Sequence, residues 1–385
     1  MRPLFFPEDS QFWYETLRAL GHITYGGADF GEVAVTAERI TPGDYDSWYD
    51  EWLATAERVV KTAGTHPVSR RDAYLRASNY YRTAEFFLHG NASDPRILYA
   101  YDKSVAAFQE AAKLLNIEPV EIPYENTTLP GYHYKGDNSA PTVIMFNGFD
   151  GSVEEMHFFG AAAAAERGYN VLTFDGPGQP GARHHKGLMF RPDWENVVGP
   201  VIDHANVDRV ALLGNSMGGL LAPRAAAFDS RVNAVIALDG VYDLGEITTA
   251  QLPFDREEAE RRLRAPEDPD LDVMLDQVMQ ASPMARWAFN QGMYAMGVDT
   301  PRKFCAAYLD YTLADGIAER ITCPTLVCAA ADDGFFKGQP EQLYEHLTCP
   351  RTFLEFTGEA AAHCQSGAQR QAYAQIFDWL DVTLL

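Results

Sequence analysis

The sequence predicts an α/β fold: a mostly parallel sheet with helices on both faces, a helical segment before it and a helical insertion within it. Three observations carry this. From Val120 onward, short apolar runs alternate with helical stretches. The first 120 or so residues show helical spacing and little β alternation, and residues 243–318 break the later rhythm with charged, Met-rich helical sequence. Strands covered on both faces read as continuous apolar runs, and their alternation with helices argues for parallel pairing.

In the N-terminal part, Asp44 to Trp48 offers N-cap groups, and Trp48, Trp52, Ala56 and Val59 follow at helical spacing, with Gly64 as a stop. A second helix is expected from about Val68 to His89. A third is expected from Asp94 to Leu115, with a proline in its first turn, where its missing N–H costs nothing. Val120–Tyr124 reads as an edge strand and Leu129–Tyr134 as its hairpin partner. The core strands are then expected at Thr142–Phe146, Asn170–Phe174, Arg209–Leu213, Val232–Leu238 and Thr325–Ala329. Helices are expected at Val153–Arg167 and Trp194–His204 between them, and at about Gln369–Leu380 to finish. We therefore expect a helical lid domain over 1–119 and a core over 120–385, with a helical cap inserted at about 243–318.

The balance of 31 basic and 54 acidic residues gives a net charge of −23 over 385 residues. Such a field repels phosphate backbones and anionic surfaces, so neither nucleic acid nor membrane is expected as a partner. No apolar run reaches the roughly 20 residues of a membrane span. The opening Met1–Asp9 stretch is too short and too soon broken by proline and acid for a signal peptide. Five cysteines without a CxxC pair suit reduced thiols, and no cysteine spacing supports zinc. A cytoplasmic location and no metal are expected.

The most informative segment is Val210 to Gly219, where an apolar run enters Gly214-Asn215-Ser216-Met217-Gly218 and the helical stretch Leu220–Phe228 leaves it. This is the strand–turn–helix setting of a nucleophile elbow, which holds a serine hydroxyl above the sheet. A serine hydroxyl attacks only when a base takes its proton and a third group orients that base. Downstream, a strand ends in Asp332-Asp333, and His363 follows near the C-terminus, in the order Ser, Asp, His. Asp333 is preferred over Asp332 because the turn spends residues before its side chain meets the histidine. Backbone donors for an oxyanion are expected at Met217 and at Phe149, in the turn Asn147–Gly151. Asp239, ending the strand after the nucleophile helix, is a secondary candidate as the acid or as a second carboxylate. Asp175 in Asp175-Gly176-Pro177-Gly178 is another, with turn capping as its simpler role. His184-His185 is expected in an exposed loop.

Together with Gly43–Tyr49, Arg76–Glu85, Leu129–Tyr132, Asn147–Gly151, Asp175–Gln179 and His363–Gln365, these motifs make the chain resemble the α/β-hydrolase superfamily. The likeness is to its subgroup with a helical N-terminal domain, which includes 2,6-dihydroxypseudooxynicotine hydrolase, the fungal polyketide-shortening hydrolases and the fermentation-respiration-switch-like esterases. The resemblance implies a Ser–Asp–His hydrolase without cofactor and a homodimer. It also implies a cleft between core and N-terminal domain, and a small aromatic or polyketide-like substrate cut at an acyl bond or at a C–C bond beside a ketone. Ester and C–C cleavage are not separated by sequence. Condensation or cyclisation on the same fold is the alternative, with a non-turning-over ligand binder behind it. Pro180-Gly181 after Gln179 and Ala360-Ala361-Ala362 before His363 depart from the subgroup's pattern, so no relative's substrate transfers directly.

Overall fold

A computed structural model describes residues 2–137 and 139–384, so Met1 of the opening segment and Leu385 lie outside the described residues. Eight strands form one sheet in the order β1-β2-β4-β3-β5-β6-β7-β8. These are β1 Ile117–Tyr124, β2 Thr127–Tyr134, β3 Thr142–Phe146, β4 Asn170–Phe174, β5 Val210–Asn215, β6 Val232–Leu238, β7 Thr325–Ala330 and β8 Arg351–Phe356. The β1–β2 hairpin and the β2–β4 pair are antiparallel; every pairing from β4 to β8 is parallel. All residues of β3, β5 and β7 are buried, which is why they read as unbroken apolar runs. The first strand begins at Ile117, earlier than the expected Val120, because Asn116 ends the preceding helix in the left-handed region at φ 55°.

Five helices precede the sheet: α1 Ser10–Gly21, α2 Phe30–Arg39, α3 Tyr45–Lys61, α4 Pro67–Glu85 and α5 Pro95–Leu115. The Asp44 carboxylate accepts from the Asp46 and Ser47 amides and starts α3. Trp48, Trp52 and Ala56 on its inner face are fully buried. Phe12 of α1 packs on Trp48 and Phe87, with ring centroids 4.6 and 5.0 Å apart. Each such side chain contributes on the order of 2–3 kcal/mol of burial free energy. Helix α3 ends at Lys61, not at Gly64, because Thr62 already closes its last turn onto the Arg58 and Val60 carbonyls.

Between the strands lie α6 Ala161–Glu166, α7 Pro180–Lys186, α8 Glu195–Ala205 and α9 Gly218–Phe228. The expected Val153–Arg167 helix is broken into a 3₁₀ turn at Glu155–His157 and the short α6. Gly160 interrupts it at φ 112°, where a Cβ would meet Met145 and Tyr373 at 2.8 Å. The His184-His185 segment is helical in α7 rather than looped, because Pro180 sits in its first turn and Asp175 caps its Gly181 amide at 2.8 Å. Helices α10 Leu244–Ala250, α11 Arg256–Leu263, α12 Pro269–Ala281, α13 Pro283–Met296 and α14 Pro301–Tyr308 fill the stretch between β6 and β7. Helix α15 Gln339–His346 precedes β8, and α16 Gln369–Leu384 closes the chain. No helix among the described residues is long and apolar enough to cross a membrane. All five cysteines are free thiols.

Candidate active site

The site is built at the C-terminal ends of the parallel strands. Strand β5 delivers Ser216 into a tight turn before α9, and its backbone takes φ 58°, a region costly for any residue but glycine. The Ser216 amide is pinned to the Leu238 carbonyl at 3.0 Å. Gly214 is required because a Cβ there would overlap the Gly218 carbonyl. Gly218 itself is less crowded, its Cβ position lying 3.2 Å from the Asn147 carbonyl oxygen, whereas a Cβ at Gly219 would approach the Asp239 carbonyl oxygen to 2.8 Å. Gly219 is thus the tighter of the two glycines after the serine.

His363 Nε2 lies 2.9 Å from Ser216 Oγ, and its Nδ1 lies 2.8 Å from Asp333 Oδ2. Asp333 is fixed in turn by the Phe335 amide at 2.7 Å. The Asp239 Oδ2 stands 3.0 Å from the same His363 Nδ1, so two carboxylates share one imidazole nitrogen. Asp239 is fully buried and accepts from the Cys364 amide and from Gln365 Nε2 at 2.8 Å. Burial works against a charged His363, but Asp333, with Asp239 bonded beside it, outweighs this and holds the imidazole pKa well above its usual value of 6.5. Cys364 Sγ lies 3.6 Å from His363 Nε2, yet burial pushes its thiol up to about 11, so it stays protonated and offers no rival thiolate at neutral pH.

The other predicted residues separate cleanly. Asp332 is exposed, whereas its neighbour Asp333 is buried and bonded to His363. Asp175 is buried on the Gly181 amide at the start of α7 and is not among the cavity-lining residues, which leaves it the capping role. Met217 and Phe149 both line the cavity beside Ser216. Gly148 lets their two segments meet, since a Cβ there would come within 2.5 Å of the Met217 nitrogen. Gln179 Nε2 holds this loop by donating to the Asn147 and Gly148 carbonyls, and Gln291 Nε2 of α13 donates to the Phe149 carbonyl at 3.0 Å.

The cavity is about 540 Å³. Its walls come chiefly from α10, α12, α13 and α14, with apolar side chains such as Ile247, Leu275, Trp287 and Phe304, while Tyr14 and Arg18 of α1 close one side. The cavity thus lies between the strand ends and the helices that join β6 to β7, with α1 on one side. Arg18 was not foreseen. Its Nε and Nη2 clasp Glu155 at 2.8 and 2.6 Å, and its Nη1 reaches Asp150 Oδ2 at 3.1 Å, beside Phe149. Arg82 of α4 joins Glu155 at 3.2 Å. Burial favours a neutral Glu155, but the two guanidiniums override it and draw the carboxyl down to about 2. The signal for α1 was present in Asp9, which caps the Gln11 and Phe12 amides, and in the apolar positions 12, 13, 17 and 20.

The alpha/beta hydrolase family pattern matches residues 143–376, a stretch that holds the elbow, both carboxylates and His363. The chain belongs to the α/β-hydrolase family. It is similar to Hydrolase LUC6 of Fusarium sp, 36% identical over 97% of this chain and 96% of the relative. It is also similar to the 20-hydroxy-prefusarin hydrolase FUS2 of Gibberella moniliformis, 35% identical over 97% and 96%. Two solved structures share the fold over nearly the whole length. One is the 2,6-dihydroxy-pseudo-oxynicotine hydrolase, 22% identical, TM-score 0.68, covering 95% of this chain and 96% of that one. The other is AbyA5, 16% identical, TM-score 0.69, covering 97% and 94%. The protein is a hydrolase.

Proposed function

We propose that this hydrolase works through Ser216, His363 and Asp333 on a small aromatic or polyketide-like substrate, cutting an acyl bond or the C–C bond beside a ketone. The observation that carries the reading is His363, bonded through one ring nitrogen to Ser216 and through the other to Asp333. In this reading His363 takes the Ser216 proton as Oγ attacks the carbonyl carbon, and Asp333 stabilises the imidazolium that forms. The Met217 and Phe149 amides receive the oxyanion. His363 then returns the proton to the departing alkoxide or carbanion, and water releases the acyl group by the reverse path. Asp239 is a positioning carboxylate for His363.

The apolar cap walls and the name of the prefusarin hydrolase relative support a small organic substrate. Residues 1–119 act as a lid domain and 243–318 as a cap over the 120–385 core. A cytoplasmic homodimer without cofactor follows the family resemblance, and size-exclusion with light scattering tests the dimer. The bond type is tested by a β-diketone panel followed for two acidic or phenolic fragments, set beside an ester panel. Ester turnover with inert diketones would reject C–C cleavage, and turnover of neither on a folded protein would reject the small-ketone substrate class.

A further inference from the structure

Away from the cavity, Glu85, His89 and His184 bring one ligand atom each to within 4.8 Å of one another. Glu85 ends α4, His89 lies in the 3₁₀ turn Leu88–Gly90 that follows, and His184 sits on α7. None of the three lines the active-site cavity. Glu85 and His89 are 3% and 8% exposed. A buried polar atom without a partner costs about 1–3 kcal/mol, so such atoms seldom gather in one place. Here His89 Nδ1 and His184 Nε2 have no polar partner, and Glu85 Oε2 and His89 Nε2 have only each other. His89 Nε2 and Glu85 Oε2 stand 2.9 Å apart, within ion-pair reach.

The surroundings orient the donors as a metal site would. Nδ1 of His184 is bonded to the Tyr294 hydroxyl at 2.6 Å, which leaves Nε2 facing the cluster. His89 stacks on the Tyr294 ring at 4.5 Å, and Arg183 lies over that ring at 4.2 Å. A second cluster, Asp239, His363 and Cys364, brings a carboxylate, an imidazole and a thiol within the same 4.8 Å. There both Asp239 oxygens and both His363 nitrogens are already bonded within the protein, and nothing is left over for an ion.

We propose that Glu85, His89 and His184 bind a divalent transition-metal ion, Zn²⁺ by preference. Two imidazoles and one carboxylate are a recurring zinc set, and imidazole donors disfavour Mg²⁺ and Ca²⁺. Tetrahedral zinc holds its ligand atoms roughly 3.3 Å apart, so rotamer-scale movement draws the three together around the ion. The ion ties the end of α4 to α7 and, through Tyr294, to the cap helix α13. Glu85 and His89 lie far from His184 in the chain, so no spacing rule signals the set.

The test is Zn²⁺ titration of the metal-stripped full chain by calorimetry, with Co²⁺ absorption as a second readout. One Zn²⁺ per chain is expected, weakened at least about 10-fold in both His184→Ala and Glu85→Gln and unchanged in His185→Ala. Wild-type protein with Co²⁺ should show visible d–d bands without thiolate charge transfer, bleached by Zn²⁺; this readout does not depend on whether the variants fold. Absence of stoichiometric binding to the wild type would overturn the proposal. So would unaltered binding in both variants, or a thiolate charge-transfer band, which would place the ion at Cys364.

Discussion

The floor of the cavity is made by the turns after β3 and β5 and by His363, whose ring is held through directed hydrogen bonds by acids at the ends of β6 and β7. The roof is made by α10, α12, α13 and α14, where apolar side chains meet the empty volume with few polar constraints. The two are joined through Phe149, whose amide faces the floor in our reading and whose ring packs on Trp287, Phe304 and Tyr308 of the roof. Chemistry that tolerates little displacement sits on rigid strand ends, and substrate fit is left to a surface that can vary without disturbing the reaction.

Substitutions on the two sides should differ in kind as well as size. Ser216→Ala should lower kcat by roughly 10⁴–10⁶-fold with an unchanged melting temperature, which steady-state kinetics and calorimetry will check. Asp333→Asn should cost up to about 10⁴-fold, since the imidazole loses its main counter-charge while Asp239 stays on the same nitrogen. Arg18→Ala leaves Glu155 buried with Arg82 as its one guanidinium partner and should destabilise the fold by about 3–5 kcal/mol in a urea titration.

Asp239→Asn tests the second carboxylate on the floor. Loss of a charge-assisted contact of about 1.5–3 kcal/mol predicts a roughly 10- to 100-fold lower kcat/KM. The base must be neutral to act, and its pKa is raised, so wild-type kcat/KM should climb with pH through a midpoint above 6.5. Removing the Asp239 charge should move that midpoint down. On the roof, Ile247→Ala should raise KM by roughly 10-fold with little change in kcat, a loss of uniform binding. An equal loss of kcat would mean that the roof shares in the chemistry.

The same division explains what could be read from the sequence. Ser216, Asp333 and His363 were legible because a strained turn and a fixed chain order leave local signatures, and Trp48, Trp52 and Ala56 because one helix face repeats. Strand β8 was missed because it lies at the sheet edge, where only Phe356 is buried and the apolar run is broken by Arg351 and Glu355. Arg18, Glu155 and the cluster at His184 were invisible because their partners lie on distant segments and meet only when the helical layer packs on the core. The sharing of His363 by Asp333 and Asp239 is likewise a tertiary fact; each acid alone looked like an alternative to the other.

The central claim is that His363 activates Ser216, and the most direct measurement is labelling of the purified protein with a fluorophosphonate probe, read by intact mass and peptide mapping. One adduct on Ser216, lost in His363→Ala, is the predicted result. A folded protein that takes no label, or labels equally well without His363, would contradict it.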